Sequence, residues 1–69
     1  MPNENNTYKY YIFSEKPYSI GCKNGSGETV KLIHDITVSK EKAENLVTLL
    51  NKHEVSPVHF KDVVEDELI

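Results

Sequence analysis

Cys22, His34 and Asp35 are the residue types from which nucleophilic catalysis is built, since a thiol attacks once a base takes its proton and a carboxylate orients that base. Adjacent residues of an extended chain point to opposite sides, so His34 and Asp35 do not orient one another. Cys22 and His34 fall on the same expected side of a hairpin and are placed to meet across it. In so short a chain a small buried thiol beside a hydrogen-bonded histidine is the commoner arrangement, and no catalytic residue is assigned. His53, Glu54 and His59 raise the parallel question for a metal. Two imidazoles and a carboxylate can hold one, but a helix end and a turn separate them, no ligand pair stands at i, i+4, and Cys22 adds no zinc spacing. No metal and no cofactor is expected. Gly25-Ser26-Gly27 resembles a phosphate loop only in its glycines, for it lacks the following Lys-Ser/Thr and leads into a strand. Asn5-Asn6-Thr7 and Asn24-Gly25-Ser26 match the glycosylation pattern, which matters only on a secretory route.

The elements that position these residues follow from periodicity. Tyr8, Tyr10, Tyr11, Ile12 and Phe13 favour a strand over about 7–15 and put large groups on both faces, as a central strand does. Pro17 marks the turn out of it. Tyr18, Ile20 and Cys22 alternate with polar or small residues, which predicts a half-buried strand over about 18–24. Asn24-Gly25 between alternating runs predicts a tight hairpin, the two residues supplying its positive φ angles. A third strand is expected over about 28–38, with Val30, Leu32, His34, Ile36 and Val38 on the inner side, Ile33 as the exception, and a bend near His34-Asp35. Ser39 caps a helix over about 40–53 whose Ala43, Leu46, Val47 and Leu50 form one apolar stripe. Val55, Ser56, Pro57 and Phe60 then stand as staple, cap, first position and staple partner of a second helix over about 57–68, with Phe60, Val63, Val64 and Leu68 on one face.

The order is strand, strand, strand, helix, helix: an α+β, two-layer fold of a three-stranded antiparallel meander packed by two helices. Sixty-nine residues allow one core, so residues 7–69 are expected to form a single compact domain behind a polar, flexible tail at 1–6. No apolar run approaches the roughly 20 residues of a membrane span. The opening lacks the basic start and apolar stretch of a secretory signal, so a cytoplasmic location is expected.

Charge is unevenly distributed. Residues 1–53 carry seven lysines against six acids, whereas residues 54–69 carry one lysine against five acids. In the last helix Lys61 stands near the positive end of the dipole while Glu65, Asp66 and Glu67 crowd the negative end, the reverse of what the dipole favours. Such mismatches cost only about 0.3–1 kcal/mol each, so helix stability did not select them. An acidic end bordered by Leu68 and Ile69 suits docking on a basic patch of a protein partner, with Asp62, Glu65, Asp66, Leu68 and Ile69 as the contact residues. A solvated tail that keeps a small protein soluble is the plainer alternative. Nucleic acid is not an expected partner, because the lysines are scattered, arginine is absent and the net charge is −3. No membrane partner is expected either.

The closing stretch from His53 to Leu68 carries a Val55-Ser56-Pro57-x-His59-Phe60-x-Asp62-Val63-Val64-Glu65-Asp66 pattern. Together with Tyr18-Ser19-Ile20-Gly21 and Asp35-Ile36-Thr37, it resembles a small-protein family, a domain of unknown function, from spore-forming Gram-positive bacteria. Tyr18-Ser19-Ile20 stands where that family has Tyr-Gly-Ile, and Glu67 where it has an aromatic residue. The resemblance implies a bacterial cytosolic protein of one domain and no particular activity. A non-catalytic protein-interaction or regulatory module is therefore the leading expectation. A minimal metal- or thiol-dependent enzyme using Cys22 and His34 or His53 and His59, and a homodimer paired through an open sheet edge, are the alternatives.

Overall fold

In the structure, a computed structural model, residues 7–15 and 17–68 are described. The expected tail at 1–6, Lys16 of the first turn and the terminal Ile69 lie outside the described residues.

Alternating large residues build β1 (Lys9–Ser14), followed by β2 (Tyr18–Lys23) and β3 (Thr29–Thr37). Both pairings are antiparallel and the spatial order is β1-β2-β3, the meander that the element order required. β2 is therefore central, and β1, expected to be central from its two-sided bulk, lies at an edge. The large residues of β1 on the second side meet solvent and sheet surface instead of another layer.

The β2–β3 turn forms where expected but by another device. Asn24 and Gly25 do not supply positive φ; Gly27 does, at 88°, while the Asn24 side-chain oxygen accepts the N–H groups of Ser26 and Glu28 at 2.9 and 3.0 Å. Asparagine acts here through its side chain, and the glycine that needs its conformational freedom comes two residues later.

The inner side of β3 also differs from expectation. Ile33 pairs with Ile20 and packs on the core, while Val30 and His34 are exposed and Leu32 lies opposite Gly21 on the other face. Between Ile33 and Thr37 β3 takes four steps where β2 takes two, Ile20 to Tyr18, and Asp35 inside the irregularity adopts φ 55°. This bulge is the expected bend; it restores Ile36 to the inner side and leaves Val38 exposed. The Ser19 hydroxyl, buried beneath it, accepts the Asp35 N–H at 3.1 Å.

Helix α1 (Lys40–Lys52) is capped by Ser39, whose hydroxyl accepts the Lys42 N–H at 3.2 Å. Its end reverses through paired bonds, Glu54 N–H to the Asn51 carbonyl and Val55 N–H to the Leu50 carbonyl, with Glu54 left-handed at φ 49°. That is a Schellman ending with glutamate at the position glycine usually occupies. It directs Val55 onto the core before α2 (Pro57–Leu68) begins. Tyr10, Ile20, Cys22, Leu46, Leu50, Phe60 and Val64 form one buried cluster between one sheet face and both helices. No helix among the described residues is long and apolar enough to cross a membrane.

Candidate functional site

Helix α2 is held by Phe60, which is fully buried, and by Val64, with Val63 packed beside them. Phe60 meets the Tyr10 ring edge-on at a centroid distance of 4.8 Å. With that stripe fixed inward, helical spacing turns Asp62, Glu65 and Asp66 to solvent. These three acids line a shallow hollow of about 550 Å³ with His59 and Val63. The flank therefore brings together three of the five residues assigned to partner binding. Leu68 is turned elsewhere, into a smaller hollow with Lys42, Asn45, Leu46 and Glu67, and Ile69 lies outside the described residues. No acid occupies the first turn of α2 and no base its last, and among the described residues the one ion pair of the helix is an exposed Lys61–Glu65 contact at 3.9 Å. Exposed pairs of this kind hold little, so the acidic flank stays available to an outside cation.

The thiol and imidazole expected to meet across the hairpin are separated by the sheet. Cys22 is fully buried on the helix-facing side, whereas His34 is exposed on the other, its ring 6.3 Å from that of Phe13. The reason is register: Ile33 pairs with Ile20 on the inner face, so the next residue, His34, turns to the outer one. Burial pushes the Cys22 thiol upward, an effect partly offset by its hydrogen bond with the Tyr10 side chain. Burial likewise raises the Tyr10 phenol far above its ordinary range, with Cys22 adding to the shift. The Tyr10 hydroxyl donates to the Val55 carbonyl. A protonated, enclosed thiol is chemically quiet. His53 caps α1, Glu54 is left-handed and His59 sits in the first turn of α2, its N–H donating to the Ser56 carbonyl at 2.9 Å. Among the described residues no three His, Cys, Asp or Glu side chains gather as a metal site.

With this geometry in view, one comparison with known proteins is decisive: the model of a family of unknown function, DUF6514, matches residues 1–69. The chain belongs to that family. No curated protein and no solved structure matches it.

Two features of this family member were not evident from its sequence. The first is the outer sheet face, where Tyr11 lies across Gly21 and close to Phe13 and Lys23. A β-carbon on Gly21 would come within 2.8 Å of the Tyr11 ring, so any larger residue would push that ring aside. Phe13 and Val30 are about half exposed there. Its signal was present in the bulky residues at 11 and 13, opposite in phase to those at 10 and 12. The second is Asn51, whose amide oxygen accepts the Tyr10 N–H at 2.8 Å while its nitrogen donates to the Tyr10 carbonyl at 3.1 Å. Nothing local could announce it, because the partners are 41 residues apart.

Proposed function

We propose that the domain is a non-catalytic, cytoplasmic protein-interaction or regulatory module that presents the acidic flank of α2 to a basic patch on a protein partner. The observation that carries this reading is the gathering of Asp62, Glu65 and Asp66 on one exposed flank while Phe60 and Val64 anchor the opposite side. Rigid presentation of like charges steers a complementary partner and discriminates against wrong ones. A free, buried cysteine fits a reducing compartment. The spore-former setting implied by the closing motif is part of the same reading.

Pairing with a second copy through a sheet edge is less favoured. Asn51 occupies the Tyr10 backbone groups at the β1 edge, and irregular pairing brackets the regular part of β3, both devices that blunt edges.

The test replaces Asp62, Glu65 and Asp66 together by lysine and compares partner capture from the native host with that of the parent chain, circular dichroism confirming the fold. Loss of one defined partner, with parent binding that weakens as salt is raised, supports the reading. Equal recovery by the folded triple variant would overturn it.

A further inference from the structure

The hairpin turn contains a feature that the proposed function does not use. Four of the five N–H groups from Asn24 to Glu28 have acceptors: Asn24 donates to the Glu28 carbonyl at 2.9 Å, Gly27 to the Asn24 carbonyl at 3.0 Å, and Ser26 and Glu28 to the Asn24 side-chain oxygen. The Gly25 N–H alone has none among the described residues. Gly25 is exposed and carries no side chain to shield its nitrogen. The Asn24 amide beside it is held with its oxygen between two donors at 2.9 and 3.0 Å and its nitrogen 3.5 Å from the Glu28 carboxylate. An electrophilic carbonyl thus faces paired N–H groups, next to the one N–H of this turn that has no acceptor among the described residues.

We propose that Asn24-Gly25 is a self-modification site at which the asparagine side chain is converted to aspartate and isoaspartate, with water as the co-reactant. The Gly25 nitrogen gives its proton to a solvent base and bonds to the Asn24 Cγ. Negative charge then develops on Oδ1, where the Ser26 and Glu28 N–H groups already point and stabilise it. Collapse breaks the Cγ–Nδ2 bond, and the nitrogen leaves as ammonia after taking a proton. The five-membered imide that results is opened by water at either carbonyl. The balance is amide plus water to acid plus ammonia, with nothing oxidised or reduced. One product inserts an extra carbon into the main chain at the turn, and both add a negative charge beside Glu28.

The other described asparagines supply an internal contrast. Asn45 and Asn51 lie within α1, where the following N–H belongs to the helical ladder, and the Asn51 amide is clamped on both atoms by Tyr10. They should stay intact while Asn24 reacts.

The test incubates the folded chain in mildly alkaline buffer, maps the products by fragmentation mass spectrometry that separates isoaspartate from aspartate, and follows released ammonia. Conversion at Asn24 should exceed that at Asn45 or Asn51 by about tenfold or more, the effect of roughly one pK-sized barrier difference. Gly25 has no positive φ, so Gly25→Ala should fold normally and slow the reaction several-fold. Comparable rates at the three asparagines, or an unchanged rate in folded Gly25→Ala, would overturn the proposal. So would an Asn24 that is silent in the folded chain yet converts in urea, since the turn would then protect what it is argued to expose.

Discussion

Tyr10 and Tyr11 are chain neighbours on opposite faces of one strand, and their surroundings differ almost completely. Tyr10 is buried, edge-on to Phe60, hydrogen-bonded through its hydroxyl to Val55 and through its backbone to Asn51. Tyr11 is half-buried on an uncovered face, lying over Gly21 with Lys23 5.5 Å from its ring centre. Two helices suffice to cover one side of a three-stranded sheet and not both. The lesson is that apolar residues here divide into those that hold the fold and those left at the surface, and that strand phase alone decides which.

The sharpest way to break this contrast is to truncate one ring on each face. Phe60→Ala should destabilise by about 3–5 kcal/mol, enough to unfold much of a domain this small, whereas half-exposed Phe13→Ala should change stability by about 1 kcal/mol or less. Urea denaturation of the two variants measures both, and equal losses would dissolve the distinction. Next in size is Asn51→Ala, which leaves the Tyr10 N–H and carbonyl without their partner and should cost about 1–3 kcal/mol in the same assay.

Proton linkage gives a third probe, confined to the covered face. Because Tyr10 and Cys22 hold their protons more tightly when folded, the unfolded chain gives them up first as pH rises. Their contribution is fully present at neutral pH and is lost on climbing past the ordinary thiol value of about 8.5, first through Cys22 and then through the phenol. Thermal unfolding midpoints should therefore fall on the alkaline side, and Cys22→Ala should flatten the first part of that fall. The smallest expected effect lies at the link between helices. Glu54→Gly should stabilise by about 0.5–1 kcal/mol by relieving a left-handed glutamate, read as a higher unfolding midpoint.

Much of this architecture was legible in the chain. The helices read clearly because the stripe of Ala43, Leu46, Val47 and Leu50 and the start at Ser56-Pro57 are local signals, and three of the four stripe residues are buried while Val47 is half-buried against the core. The strand order followed from short connections. What failed had nonlocal or backbone causes. The inner face of β3 was misassigned because strict alternation was carried through His34-Asp35, where the bulge breaks it. The hairpin was located correctly from Asn24-Gly25 although the asparagine works through its amide and Gly27 carries the positive φ. The gathering of Asp62, Glu65 and Asp66 was readable from helical spacing, but the separation of Leu68 from them depends on where α1 lies.

The bulge at Asp35 lets β3 turn two side chains inward at a spacing that a regular strand would put on opposite faces. Ile33 and Ile36 are three residues apart, an odd separation, and both reach the core only because the bulge offsets it. Removing one residue from the bulge would leave the two isoleucines two apart, which regular alternation already places on one face, so a shortened β3 would keep both core contacts. A one-residue deletion at exposed positions 34 or 35 should therefore be far gentler than the same deletion between Ile20 and Cys22, where it would turn a fully buried side chain to the other face.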